Sequence, residues 1–148
     1  MLAPAHRSGV QSVSMSPADQ LQAVLTRFPE VQLAVLFGSH ARGRATRHSD
    51  LDVAVALEPD TPEARSSVWR AVLAAVPQAD IVFAGGAPPL LRMEIARHGQ
   101  PIVERQPHGW ANFKAKAMID WGDWAPFARR IGLAAVNRLR EEINRGPA

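Results

Sequence analysis

The sequence predicts an α/β (α+β) fold: a small mixed sheet flanked by helices, with further helices at the C-terminal end. Three observations predict it. Apolar runs of strand length occur at Val31 to Phe37, Leu51 to Leu57 and Ala79 to Phe83. Two pairs of an N-cap residue followed by proline, Ser16-Pro17 and Thr61-Pro62, open helical stripes. From Trp110 onward apolar residues return every three or four positions.

The 148 residues fit one domain, and a chain of this size buries roughly 70% of its unfolded surface. Hydrophobic residues at 47% and charged ones at 21% are ordinary globular values, which excludes wholesale disorder. The chain has no cysteine, so disulfides, thiolate chemistry and cysteine-type zinc sites are excluded. The formal charge is +3 and the calculated pI near 10.5. Scattered arginines, and a pI inflated by the absence of Tyr and Cys, argue against direct nucleic-acid binding. No apolar run reaches the ~18 residues of a membrane span and no signal-peptide core is visible, so the expected location is the cytoplasm.

Residues 1–15 read as a loose tail of Pro, Gly, Ser and His, residues 16–105 as the core, and residues 106–148 as a helical extension packed on it. After Ser16 and Pro17, the set Leu21, Val24, Leu25 and Phe28 keeps helical spacing until Pro29. Val31 to Phe37 is a buried strand delivering Gly38. From Leu51 the apolar residues alternate through Val53, Val55 and Leu57, a strand with one face in the core, ended by Glu58-Pro59-Asp60. Thr61-Pro62 opens a helix with Val68, Trp69, Val72, Leu73 and Val76 as its apolar stripe, closed by Pro77. Ala79 to Phe83 is the third strand. A Gly85-Gly86 loop leads into a helix with Gly99 as its C′ residue, and Ile102-Val103 forms a short edge strand.

Beyond Pro107, Trp110, Phe113, Ala117, Trp121, Trp124, Phe127, Ile131, Ala135 and Leu139 predict two helices, bent or broken around Gly122 and Pro126. Their plainest role is core packing; the alternative is a partner surface, since three of the four tryptophans fall between Trp110 and Trp124.

Chemistry concentrates where the first strand ends and the second begins. Side chains alternate across a strand, so Asp50 and Asp52 share a face while Leu51 and Val53 pack on the other. Two adjacent carboxylates repel unless a cation lies between them, and Mg²⁺ takes such hard oxygen ligands. Asp80, near the start of the third strand, is the candidate for a third ligand. Gly38 and Ser39 sit at a strand-to-helix turn whose free N–H groups, with the Ser39 hydroxyl, can hold phosphate oxygens. Arg42 is placed to reach a phosphate. Carboxylate-held metal beside a phosphate cradle points to phosphoryl or nucleotidyl transfer. Two ions held by these carboxylates would neutralise the triphosphate and activate the attacking hydroxyl. Attack falls on the α-phosphate and pyrophosphate leaves, with Asp80 able to accept the hydroxyl proton.

Each piece alone has an ordinary reading: Gly38-Ser39 as a helix cap, Asp50 as a turn residue, Asp52 as a solvated strand end, Asp80 as a strand-start acid. Together, Gly-Ser spaced ten residues from Asp-x-Asp arises by chance on the order of once in several hundred chains of this length.

Gly38-Ser39, followed by Ala41-Arg42-Gly43 and by Asp50-Leu51-Asp52, resembles the signature of the polymerase-beta-like nucleotidyltransferase superfamily. More closely, the chain resembles the minimal nucleotidyltransferase (MNT) antitoxins of type VII toxin–antitoxin systems, through Ala79-Asp-Ile-Val, Ala87-Pro-Pro-Leu-Leu-Arg-Met-Glu-Ile, and Arg97-His-Gly99 through Arg105. The likeness covers roughly Asp19 to Arg140. It implies a nucleotidyltransferase fold and a protein adenylyltransferase that uses ATP and Mg²⁺ to modify a tyrosine hydroxyl of a cognate HEPN ribonuclease toxin, its partner. Carried over, Gly38 and Ser39 hold the triphosphate, and Asp50, Asp52 and Asp80 bind metal. The tail before Ser16, Gly122, Pro126 and the Trp-rich end depart from the family pattern.

Two other readings stay open. One is an antitoxin acting by stoichiometric occlusion without catalysis. The other is a small-molecule nucleotidyltransferase of the antibiotic-modifying kind, which usually needs an acceptor-binding domain that this chain has little length to supply.

Overall fold

The computed structural model describes residues 14–38 and 50–145, with side chains at all of these except Leu139 and Ile143. Helix α1 spans Pro17–Thr26, strand β1 Val31–Phe37, strand β2 Leu51–Leu57, helix α2 Pro62–Ala75 and strand β3 Ala79–Phe83. A short 3₁₀ turn at Ala84–Gly86 precedes helix α3, Pro89–His98; strand β4, Gln100–Glu104, and helix α4, Gly109–Arg145, complete the order.

Both predicted helix starts carry the expected caps. The Ser16 hydroxyl accepts from Asp19 N at 3.1 Å, and the Thr61 hydroxyl accepts from Ala64 N at 3.1 Å, with proline in the first turn each time. Each cap satisfies one donor that the helix start leaves without an internal partner.

The strands form one mixed sheet in the order β3-β2-β1-β4. β1 runs antiparallel to β2 and β4, whereas β2 and β3 are parallel and are joined by α2 as a crossover. On one face Leu51, Val53, Val55 and Leu57 of β2 pack with Ala34 and Leu36 of β1 against Leu21, Val24 and Leu25 of α1 and Val68 and Val72 of α2. On the other face Leu33, Val35 and Ala54 meet Ile95 of α3, with Trp110 and Phe113 of α4 beside them. Because both faces of the central strands are covered, β1 reads as a nearly unbroken apolar run. A register shift between Val31 and Leu33 switches the facing, so that Val31 shares the α1 side with Ala34.

Three expectations are corrected. The C-terminal segment is one helix of 37 residues, not two. Pro126 forfeits the bond to the carbonyl four residues earlier, which belongs to Gly122. Both residues are exposed and a Cβ at Gly122 would meet nothing, so that carbonyl can turn to water without ending the helix. Trp69 is 49% exposed, outside the buried stripe of Val68, Val72 and Val76. Gly99 is the C-cap residue of α3 but is extended, with φ −71°, not left-handed. Glycine is needed there for space: a Cβ would collide with the Ile95 carbonyl and with Val35.

The first half of α4 packs along α3. Arg92 Nη1 bonds Asp120 Oδ2 at 3.1 Å, and its guanidinium lies over the Phe113 ring. The Glu104 carboxylate caps the start of α4 by accepting from Trp110 N at 2.7 Å. Trp110, Phe113, Ala117, Trp121 and Trp124 are at least half-buried, as core packing requires. Phe127, Ile131 and Ala135 are exposed, and from Arg129 to Arg145 every described side chain is exposed. No helix among the described residues is long and apolar enough to cross a membrane.

Candidate active site

The site lies at the end of the sheet where β1 finishes and β2 and β3 begin. Asp52 follows the first residue of β2 and pairs antiparallel with Phe37, the last residue of β1. In the parallel ladder Asp52 is in register with Asp80 of β3. In-register neighbours on adjacent strands lie about 4.8 Å apart and point to the same face. Since Leu51 and Val53, like Ala79 and Ile81, belong to the α1 and α2 face, the two carboxylates project from the opposite one. α3 and α4 cover that face over β1 and β4, so Asp52 is half-buried and Asp80 exposed.

Gly38 closes the near side. Its φ is +72°, in the left-handed region that glycine adopts at little cost, and a Cβ there would overlap Asp52 Oδ2. The main chain at the end of β1 therefore lies directly on the Asp52 carboxylate, a contact only glycine permits. This is the local geometry that the spacing of Gly38 and Asp52 in the sequence encodes.

Of the residues singled out from sequence, Gly38, Asp52 and Asp80 are brought together. Asp50 stands exposed just ahead of β2, on the approach to the same end of the sheet. Ser39 and Arg42 lie outside the described residues. Among the described residues no three His, Asp or Glu side chains converge closely enough to hold a metal ion. The oxygen-only donor set of Asp52 and Asp80, with the glycine main chain at its side, nonetheless fits a hard divalent cation shared with a phosphate. Sequence reasoning placed Trp69 in the core, whereas it stands beside Phe83, around a small hollow at the outer edge of β3. Its polar neighbours Ser66 and Arg70 on the same turns were the available signal.

A profile for "Polymerase beta, Nucleotidyltransferase" matches residues 19–108, more than half of the chain. The chain belongs to the polymerase beta nucleotidyltransferase family. The match runs from the first turn of α1 through β4, including Gly38 and the three acids of this nucleotidyltransferase. A search of curated proteins found no significant match.

Solved structures share the nucleotidyltransferase fold. A chain of a toxin–antitoxin crystal structure with AMP-PNP superposes with a TM-score of 0.69 at 22% identity, over 80% of this chain and 98% of that one. A chain from the complex of a tri-AMPylated Shewanella oneidensis HEPN toxin with an MNT antitoxin gives 0.65 at 19% identity, over 81% and 96%. A chain of the toxin–antitoxin pair MntA-HepT gives 0.65 at 19%, over 81% and 97%. At these identities the likeness is one of fold.

Proposed function

We propose that this chain is an adenylyltransferase antitoxin, transferring AMP from ATP to a tyrosine hydroxyl of a cognate HEPN ribonuclease toxin and so neutralising it. The observation that carries the reading is the triad of Gly38, Asp52 and Asp80, in which a glycine main chain rests on one carboxylate that stands in register with another. The fold shared with chains of toxin–antitoxin complexes, one with AMP-PNP and one with a tri-AMPylated toxin, supports the choice of nucleotide and acceptor.

In this reading Gly38 and Ser39 hold the triphosphate through main-chain N–H groups and the serine hydroxyl, and Arg42 adds positive charge. Asp50, Asp52 and Asp80 would hold Mg²⁺. Bound Mg²⁺ supplies neutralisation of the triphosphate charge and acidifies the acceptor hydroxyl. Asp80, on the open side, takes the proton as the tyrosine oxygen attacks the α-phosphorus. The new bond joins tyrosine oxygen to the α-phosphorus, the bond from that phosphorus to the bridging oxygen breaks, and pyrophosphate departs with that oxygen.

The test is mass spectrometry of the neighbouring gene's product after incubation with this chain, ATP and Mg²⁺. The expected result is a shift by whole AMP units, abolished by EDTA. An unshifted mass under conditions in which the complex forms would overturn the reading.

A second reading, stoichiometric occlusion without catalysis, draws on the lack of a three-carboxylate cluster among the described residues. It expects neutralisation to survive Asp50→Ala combined with Asp52→Ala.

A further inference from the structure

The sheet sets out the reacting parts in spatial order. Gly38 directly follows β1, Asp52 lies on β2 and Asp80 on β3, which is the edge of the sheet. With the phosphate cradle on the β1 side and the proton acceptor on β3, the acceptor hydroxyl has to arrive from beyond β3. We infer that the acceptor binds as an extended segment added to the open edge of β3, with its hydroxyl-bearing side chain beside Asp80; this rests on the nucleotidyl-transfer reading above.

The backbone of β3 is disposed for such pairing. Leu51 N–H donates to the Gln78 carbonyl at 3.1 Å, which sets the phase of the parallel ladder. In that phase the main-chain groups of Asp80 and Val82 face β2, while the N–H and C=O of Ile81 and the N–H of Phe83 face outward. Among the described residues no strand pairs with β3 on its outer side. The two edges of the sheet differ in this respect. β4 carries Pro101 and a register shift against β1, both of which blunt an edge, and β3 carries neither.

The side chains then define the acceptor. An added strand alternates as β3 does, so the residue next to Asp80 points to the Asp52 face about 4.8 Å farther out. The residues before and after it point to the opposite face, beside Ala79 and Ile81, and the residue two positions beyond the one beside Ile81 lies next to Phe83 on that same face. There Arg65, Ser66, Trp69 and Phe83 line a hollow of about 170 Å³. The exposed indole of Trp69 and the half-buried Phe83 ring offer the kind of aromatic surface that carries binding energy. Arg65 forms a bidentate pair with Asp60, at 2.6 and 2.7 Å, and lies over the Phe83 ring at 5.1 Å. Its charge is thus already matched, so the hollow favours apolar or aromatic neighbours over acidic ones. The occupant is an extended peptide segment that carries apolar side chains one and three positions from its hydroxyl residue, on the side that runs towards Phe83.

The experiment uses the full chain, labelled ATP, Mg²⁺ and short synthetic peptides with one central tyrosine that carries, one and three positions away on both sides, either Val and Phe or Asp. Label transfer favouring the apolar flanks by about tenfold is expected, with the preference lost in Trp69→Ala. A scan of the peptide with backbone N-methyl groups reads the pairing itself: transfer should fall at every second position, the signature of an added strand. Transfer indifferent to the flanks, or a preference unchanged in Trp69→Ala, or an N-methyl scan without the two-residue period, overturns the edge-strand inference and leaves nucleotidyl transfer standing. ATP bound with Mg²⁺ but no peptide labelled also overturns it. Failure to bind ATP with Mg²⁺ overturns both.

Discussion

The Asp52 carboxylate occupies the space that a Cβ on residue 38 would require. Gly38→Ala therefore imposes a left-handed conformation on an L side chain and displaces Asp52 from its place beside Asp80. Strain of about 1–3 kcal/mol is expected in chemical denaturation. In the adenylyltransferase reading the larger effect is on AMP transfer, which should drop about 100-fold or more, because a shift of an ångström in a reacting group costs that much.

Asp80→Asn separates chemistry from folding. Asp80 is exposed on an edge strand, so its replacement by the isosteric amide should leave the melting temperature unchanged. Transfer should fall about 10²–10⁴-fold, the usual contribution of a general base. The comparison to make is thermal unfolding beside label incorporation; parallel losses in both would contradict a chemical role.

Arg105 ties three segments together. Its guanidinium donates to the carbonyls of Thr26 at 2.7 Å, Phe28 at 2.8 Å and Val31 at 2.6 Å, joining the end of α1 to the start of β1. Arg105→Ala should cost about 1–2 kcal/mol in urea unfolding. Arg105→Lys should recover only part of this, because an ammonium cannot reach three acceptors in one plane.

Gly99→Ala should destabilise by about 1–3 kcal/mol, since the new methyl meets the Ile95 carbonyl and Val35 in the packed layer between α3 and β1. A melting temperature equal to that of the unmodified chain would show that α3 can shift to accommodate it.

The Asp60 to Arg65 pair gives a pH signature. The hydrogen bonds from Arg65 hold the Asp60 carboxyl below its ordinary value of 3.8, against a smaller opposing effect of burial. A depressed carboxyl stabilises the fold above its unfolded value, and that stabilisation is lost as pH falls through the lower, folded value. Arg65→Gln should thus be less stable than the unmodified chain at neutral pH, by less than about 1 kcal/mol for so exposed a pair. The two stability curves should converge once the pH is below the folded-state value.

Much of the fold is legible because its signals are local. Ser16-Pro17 and Thr61-Pro62 announce helices through a hydroxyl and a ring that act within one turn. The alternation of Leu51, Val53, Val55 and Leu57 records a covered face directly. Proline at 126 signals a break only where the lost bond lies in a buried backbone, and solvent exposure at Gly122 is a property of the assembled fold. Trp69 follows Val68 by one position, and a stripe drawn at three-and-four spacing admits both until the neighbouring strand is known. Gly99 is glycine for the sake of Val35, far away in the chain. The site divides in the same way. Gly38 and Asp52 are betrayed by spacing, but the register that sets Asp80 beside Asp52 depends on how α2 returns the chain to the sheet.

Among the described strands, β2 and β3 form the sole parallel pair, and that pair aligns the two acids. Parallel strands cannot meet through a tight turn, and non-local pairings of this kind slow folding. The consequence is one of timing. A newly made chain with β1 already laid on β2 holds Gly38 against Asp52, and Asp80 joins them only when the crossover helix delivers β3.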